Sequence, residues 1–294
     1  MSAAAGSLHS GFVQAGSLRL HHTFGGRGTP PLVMVHGLGS SGYLEWRFNL
    51  PALAASQRVL APDLPGFGRS ERPRAGYGIP LFARAVHGYL RALRLRPVVL
   101  VGASLGGRVA IEVALTHTER VRKLVLVNAF GLGRPRPRLT YPLFAVPRVG
   151  EAVLRLTRGA LRRAPPQTVR RFAGRYLRAS GDLERTMDDA YLAGVRELHE
   201  AEGYHAAYLA TLRSLARPGA IAQGRDVVAR LARTRLPVLL VWGAEDPLFP
   251  VEHAERAHLE LPGSHLAVIE GAGHTPQAER PDEFNRVVEA FLRA

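Results

Sequence analysis

Short apolar runs alternate along the chain with longer stretches in which apolar residues return every three or four positions. Leu32–Val35, Arg58–Ala61, Val98–Val101, Lys123–Asn128, Pro237–Trp242 and His265–Ile269 are dominated by branched residues, the pattern of strands buried on both faces. Phe12 to Phe24 instead alternates on either side of Ala15-Gly16-Ser17, which predicts a β-hairpin. Helical spacing covers Tyr43–Ala55, broken or begun at Pro51, and then Pro80–Leu93, Arg108–Leu115, Val251–Leu261 and Pro281–Leu292. Strand and helix alternate as in a parallel sheet with crossover helices, so the fold class is α/β. Between Phe130 and about Arg235 the alternation stops, leaving helical segments and turns. Residues 1–129 and 236–294 are therefore read as two parts of one α/β core, with 130–235 inserted as a helical cap. Ligands of open α/β sheets bind beyond the carboxyl ends of the strands, so such a cap would roof the site.

Composition narrows the function classes. The 294 residues are 46% hydrophobic, ordinary for a globular protein, and no apolar run reaches the roughly 20 residues that span a bilayer. Met1 to Gly11 lacks the basic and apolar regions of a signal peptide, so a cytoplasmic location is expected. With no cysteine, disulfides, thiolate metal sites and a cysteine nucleophile are excluded. His21, His22, His87, His117, His253 and His258 lack ligand spacing, so neither a metal nor any other cofactor is expected. The net charge is +15, and Lys123 is the only lysine among 39 basic residues. The first reading of this charge is a genome rich in G and C whose protein surfaces use arginine and alanine; attraction to acidic substrates or an anionic membrane is the functional alternative. No nucleic-acid-binding motif is visible, and a monomer or homodimer is expected.

The candidate chemistry begins where the run Val98–Val101 ends in Gly102-Ala103-Ser104-Leu105-Gly106-Gly107. A lone serine between a buried strand and a helix sits in strained backbone, so its neighbours Gly102 and Gly106 must be small. Its hydroxyl then stands at a helix N-terminus, whose dipole favours the negative charge of an acyl-transfer intermediate. Val238 to Asp246 places an acid just past a strand, and His265 to His274 places a histidine in a glycine-rich loop past the next. Ser104, Asp246 and His274 thus all stand at the carboxyl ends of predicted strands. His274 would act as general base toward Ser104, and Asp246 would orient the imidazole and stabilise its protonated form. Glu245 is the competing acid; the position of Asp246 in Gly243-x-x-Asp246 favours the latter. Asn128 also stands at a strand end, but an amide cannot stabilise an imidazolium. The backbone N–H groups of Leu105 and Leu38 are candidates for the oxyanion hole, with His36, Gly37 and Gly39 shaping the turn that presents Leu38.

His36-Gly37-Leu38-Gly39, Asp63-Leu64-Pro65-Gly66-Phe67-Gly68-Arg69-Ser70, Gly102 to Gly107, Asp246 and Gly273-His274 together resemble the α/β-hydrolase superfamily. The resemblance spans roughly 10–130 and 225–294 and implies an α/β-hydrolase fold with a Ser-Asp-His site. Trp46-Arg47-Phe48-Asn49-Leu50-Pro51-Ala52-Leu53, followed by Ala61-Pro62-Asp63, resembles the meta-cleavage-product hydrolases, which split a carbon–carbon bond in dienoic keto acids. Those enzymes usually carry Asn before the nucleophile and Trp after the histidine; here Ala103 and Thr275 stand there. Gly273-His274-Thr275-Pro276-Gln277 is similar instead to general esterases and lipases. Dehalogenases and epoxide hydrolases of this superfamily use an aspartate where Ser104 stands.

The insertion carries twelve arginines and one acid, Glu151, between Arg134 and Arg178. On a helix from Arg148 to Arg163, Arg148, Arg155 and Arg162 fall on one face and Val149, Val153, Leu156 and Ala160 on the opposite side. The first expectation is a solvated basic face over an apolar stripe packed on the core. The second is a lid that makes weak peripheral contact with anionic membrane. Tyr141, Phe144, Phe172, Tyr176, Tyr204 and Tyr208 are candidates to line an acyl or aryl pocket. The reading is a serine hydrolase cleaving a small-molecule carboxylic ester through an acyl-enzyme. A carbon–carbon hydrolase of the meta-cleavage type and a non-catalytic ligand receptor on the same fold are its alternatives.

Overall fold

The computed structural model describes residues 7–95, 97–136, 143–144, 146–177, 183–217 and 226–294. Eight strands form one sheet in the order β1-β2-β4-β3-β5-β6-β7-β8. They are β1 (Leu8–Ala15), β2 (Leu18–Gly25), β3 (Leu32–Val35), β4 (Val59–Pro62), β5 (Val98–Ala103), β6 (Val121–Val127), β7 (Val238–Gly243) and β8 (His265–Ile269). The β1–β2 hairpin pairs antiparallel and docks antiparallel on β4; every pair from β4 to β8 is parallel. This is the α/β-hydrolase fold that the motifs imply.

Successive residues of the central strands enter opposite apolar layers. Val98 and Leu100 of β5 join the layer of α3 (Ile79–Ala92) and α4 (Leu105–Thr116), whereas Val99, Val101 and Ala103 face the other way. There they meet Trp46 of α1 (Gly42–Trp46), Leu50 and Leu53 of α2 (Leu50–Ala54), and Phe284 and Val288 of a C-terminal helix (Pro281–Arg293). Burial on both faces is why these strands read as continuous apolar runs rather than as alternations. The break at Pro51 resolves into two short helices, with the proline in the first turn of α2, where its missing N–H costs nothing.

Between β6 and β7 the described residues carry helices and no strand: α5 (Val149–Arg163), α6 (Pro166–Leu177), α7 (Leu183–Thr186), α8 (Asp189–Glu200), α9 (Tyr204–Leu215) and α10 (Val227–Thr234). Val227, Val228 and Leu231 of α10 are buried in the same layer as α4. Leu198 of α8 and Tyr204 of α9 join that layer as well, and a polar contact ties α7 to the core. The buried Arg47 guanidinium donates to the Thr186 carbonyl at 2.7 Å and stacks on Phe48 and Tyr191. After β7 come α11 (Glu252–Glu260), α12 (Pro276–Glu279) and α13 (Pro281–Arg293). No helix among the described residues is long and apolar enough to cross a membrane.

Two histidines are packed in their neutral form. Tyr89 donates its hydroxyl hydrogen to Nδ1 of buried His22 at 2.6 Å, and His199 of α8 shares a hydrogen bond with His205 of α9 at 3.1 Å. Burial, then the neighbouring His21, lowers the pKa of His22 to about 4. Burial, then His205 and Arg158, lowers that of His199 to about 4. An unfolded chain protonates these rings as pH falls below about 6.5, whereas the folded chain resists until near 4. Their contribution to stability is therefore complete above pH 6.5 and is lost as pH falls toward 4. Melting temperatures measured from pH 7 down to pH 4 should fall steadily, and His199→Gln should flatten the fall; a variant with an unchanged slope would refute this assignment for His199.

Candidate active site

Ser104 is the single residue between β5 and α4, with φ 52° and ψ −117°. A non-glycine residue in the left-handed region costs on the order of 1–3 kcal/mol and persists only where its surroundings impose it. Here the Ser104 N–H donates to the Val127 carbonyl at 2.9 Å, and the Ser104 carbonyl accepts from Gly107 and Phe130, both at 3.0 Å. The turn also draws α4 tightly onto the sheet. A Cβ on Gly102 would lie 2.4 Å from the Gly106 carbonyl oxygen, and one on Gly106 only 2.2 Å from that of Val35. Both positions thus exclude any side chain, and the serine hydroxyl is left at the start of the helix.

The structure brings His274 and Asp246 to that hydroxyl. Ser104 Oγ lies 3.1 Å from His274 Nε2, and His274 Nδ1 lies 2.8 Å from Asp246 Oδ2. Asp246 and His274 are both buried, and Phe249 packs its ring against the imidazole. The Asp246 carboxylate accepts further hydrogen bonds from the backbone of Leu248 at 2.7 Å and Phe249 at 3.1 Å, and from the side-chain amide of Asn128. Burial alone would raise its pKa, but His274, followed by the hydrogen bonds from His274, Asn128 and Leu248, outweighs it and holds the carboxyl below its usual range. Asn128, set aside as an acid on sequence, is therefore a partner of the acid; its Oδ1 accepts from the Gly243 N–H at 3.2 Å, which fixes the amide. Glu245 makes no part of this chain; its N–H donates to the Ala272 carbonyl at 2.9 Å.

A second carboxylate, which sequence reasoning missed, shapes the histidine loop. Buried Glu279, at the end of α12, accepts from the Gly273 N–H at 2.9 Å and from the Thr275 N–H and hydroxyl at 3.0 Å. The two residues flanking His274 are thereby clamped by one side chain. Its only trace in the sequence is an acid five positions after the histidine.

The turn after β3 closes the other side. Buried His36 donates from Nδ1 to the Gly37 carbonyl at 2.7 Å and accepts the Leu64 N–H at Nε2 at 2.8 Å, so it ties the end of β3 to the end of β4. Burial is the leading cause that lowers its pKa, which keeps the accepting nitrogen free of a proton. Gly37 backs onto the serine: a Cβ there would sit 3.4 Å from Ser104 Cβ and 3.6 Å from Glu45 Oε2. Leu38 follows, and Gly39 has φ 80°, so the turn needs glycine there. Leu105 opens α4, where a helix N–H has no intrahelical acceptor. Glu45 is the second carboxylate missed in the sequence. It accepts from Gln277 Nε2 at 2.7 Å and from the Gly37 N–H at 3.4 Å, which brings a carboxylate beside the serine.

Of the aromatic candidates, Tyr204 and Tyr208 of α9 reach this turn. Tyr204 donates its hydroxyl hydrogen to the Gly39 carbonyl at 2.7 Å, and a Cβ on Gly39 would lie 2.9 Å from the Tyr208 ring. Phe144 packs on Tyr208 with ring centroids 6.4 Å apart. Tyr141 lies outside the described residues, as do the side chains of Phe172 and Tyr176.

Comparison with known proteins agrees with this geometry. The family model of the alpha/beta hydrolase fold matches residues 30–281. A 2-hydroxy-6-oxononadienedioate/2-hydroxy-6-oxononatrienedioate hydrolase of Dechloromonas aromatica is 30% identical over 281 residues, 94% of this chain and 91% of that protein. A solved meta-cleavage product hydrolase from Pseudomonas fluorescens superposes with a TM-score of 0.75 at 25% identity, covering 96% of this chain and 97% of that one. A solved enzyme described as degrading N-acyl homoserine lactones gives 0.69 at 25% identity, covering 96% and 100%. The chain is a member of the α/β-hydrolase fold family, and a hydrolase by that membership.

Proposed function

We propose that the protein hydrolyses an uncharged carboxylic ester through an acyl-enzyme on Ser104. The observation that carries this reading is the hydrogen-bonded chain from Ser104 through His274 to Asp246, set at the N-terminus of α4. Ser104 Oγ attacks the ester carbonyl while its proton passes to His274 Nε2. The imidazolium so formed faces the Asp246 carboxylate, held by Asn128. The N–H groups of Leu105 and Leu38 receive the oxyanion. Collapse of the tetrahedral intermediate expels the alcohol, which takes the proton from His274, and leaves the acyl group on Ser104. Water then repeats the sequence and releases the acid. Residues 130–235 act as a cap over this site, with Phe144, Tyr204 and Tyr208 at its inner side, and 1–129 with 236–294 form the hydrolase core.

Glu45 bears on the substrate. Its carboxylate is separated from the serine by one glycine, and at that range a second negative charge is disfavoured by about 2 kcal/mol. Acyl groups bearing their own carboxylate are selected against. The alternative is hydrolysis of a carbon–carbon bond, favoured by the likeness to the Dechloromonas aromatica hydrolase, whose named substrate is a dioate.

Four experiments test these assignments. A panel of p-nitrophenyl esters should be turned over and a dienoic keto acid should not; the reverse outcome establishes the carbon–carbon reading. Ser104→Ala should lower kcat by several orders of magnitude and abolish labelling by a fluorophosphonate probe. Asn128→Ala removes one hydrogen bond to Asp246 and should lower kcat about tenfold with KM little changed. Glu45→Gln should raise kcat/KM for esters carrying an acyl carboxylate by a factor about thirty times larger than for neutral esters. Equal effects on both ester classes would remove Glu45 from substrate selection.

A further inference from the structure

Helix α5 does not turn its aliphatic stripe to the core. Gly150 and Leu154 are the buried residues of the helix. A Cβ on Gly150 would come within 2.7 Å of the Phe144 carbonyl and 3.0 Å of Leu209, so the helix rests on its neighbours along the glycine side. The stripe expected to pack inward points outward instead. Leu156 is 75% exposed and Val149 40%, Ala160 is exposed and Val153 only half-buried. Leu143 and Val146, just ahead of the helix, extend the strip at 47% and 48% exposure.

Arginine runs beside this strip rather than opposite it, since the buried side of the helix is that of Gly150 and Leu154. Arg148, Arg155 and Arg162 are all exposed, and Arg163 lies between them and Leu156 around the helix. The one acid of the helix, Glu151, is taken up by two hydrogen bonds from Arg213 at 2.8 and 3.0 Å. Arg162 pairs with Glu200 at 3.5 Å across an exposed contact, and no acidic partner of Arg148, Arg155 or Arg163 occurs among the described residues.

We propose that α5, with Leu143 and Val146, docks on a bilayer surface rich in anionic phospholipid. The aliphatic strip enters the boundary between headgroups and acyl chains, and the arginines reach outward along the helix to lipid phosphates. The juxtaposition selects this partner. Arginine alone would suit any polyanion, but the strip beside it is aliphatic and offers no aromatic face on which bases could stack. A second copy of the chain brings the same net charge of +15 and no free acidic row on this helix. At 15 residues α5 is roughly 22 Å long, enough to lie in the interface.

The test is co-sedimentation of the full chain with vesicles of phosphatidylcholine alone or mixed with phosphatidylglycerol, across a range of ionic strength. The mixed vesicles should bind the protein at low salt and release it at high salt, and phosphatidylcholine alone should not bind. The double variant Val149→Glu/Leu156→Glu alters exposed positions only, so it should keep the wild-type melting temperature and its activity on soluble esters. Its partition onto mixed vesicles should fall by at least about tenfold. Undiminished binding by this folded variant would reduce the effect to diffuse attraction of a basic chain and overturn the proposal. So would the absence of binding at low salt, or light scattering that shows a wild-type dimer which the variant breaks into monomers.

Discussion

The close approach of α4 to the sheet at Ser104 is the constraint on which the other parts of the site depend. A left-handed serine is not a stable local choice, so β5, β6 and α4 must hold it between them through the Val127, Gly107 and Phe130 hydrogen bonds. The parallel order of the sheet then does the rest. β3 and β6 flank β5, and β7 and β8 follow on the same side as β6, so Asn128, Asp246 and His274 leave successive strands at the same end. Gly37 leaves β3 at that end on the opposite side. One short turn thus determines where four loops from distant parts of the chain can meet.

Three carboxylates surround that meeting point and do different things. Asp246 accepts hydrogen bonds from two backbone N–H groups, an amide and an imidazole, so its charge is compensated although it is buried. Glu279 spends its charge on backbone and a hydroxyl, and so fixes the loop rather than the ring. Among the described residues Glu45 accepts from Gln277 and, over a longer contact, from Gly37, so it meets fewer donors than the other two. The three side chains are chemically near-identical, and what separates their roles is the number and kind of donors each one meets.

The same distinction explains what could be read from the amino-acid order. The sheet was legible because burial on both faces writes Val98–Val101 or Val238–Val241 as unbroken apolar runs. Ser104, Asp246 and His274 were legible because each follows such a run, in glycine-rich surroundings that have little other use. Glu279 and Glu45 were not, because their partners are backbone groups and an amide brought in from elsewhere; Gln277 lies 232 positions from Glu45. Asn128 was noticed for its place and dismissed for its chemistry, since a donor to the acid looks in sequence like a failed acid. Along α5 the period of the helix showed that Val149, Val153, Leu156 and Ala160 share a side, but period carries no sign. Gly150, whose lack of a side chain permits close packing, decided which side went inward.

The bond from Tyr204 to Gly39 has a further consequence. It joins a helix from the segment between β6 and β7 to the turn that carries Leu38, so the two cannot move independently. Any motion that lifts α9 to admit a ligand must first strip the Gly39 carbonyl of its partner and release the ring of Tyr208 from the same glycine. A raised α9 and a Gly39 carbonyl still held by Tyr204 are therefore mutually exclusive, and the turn beside Ser104 is braced only while the helix stays down.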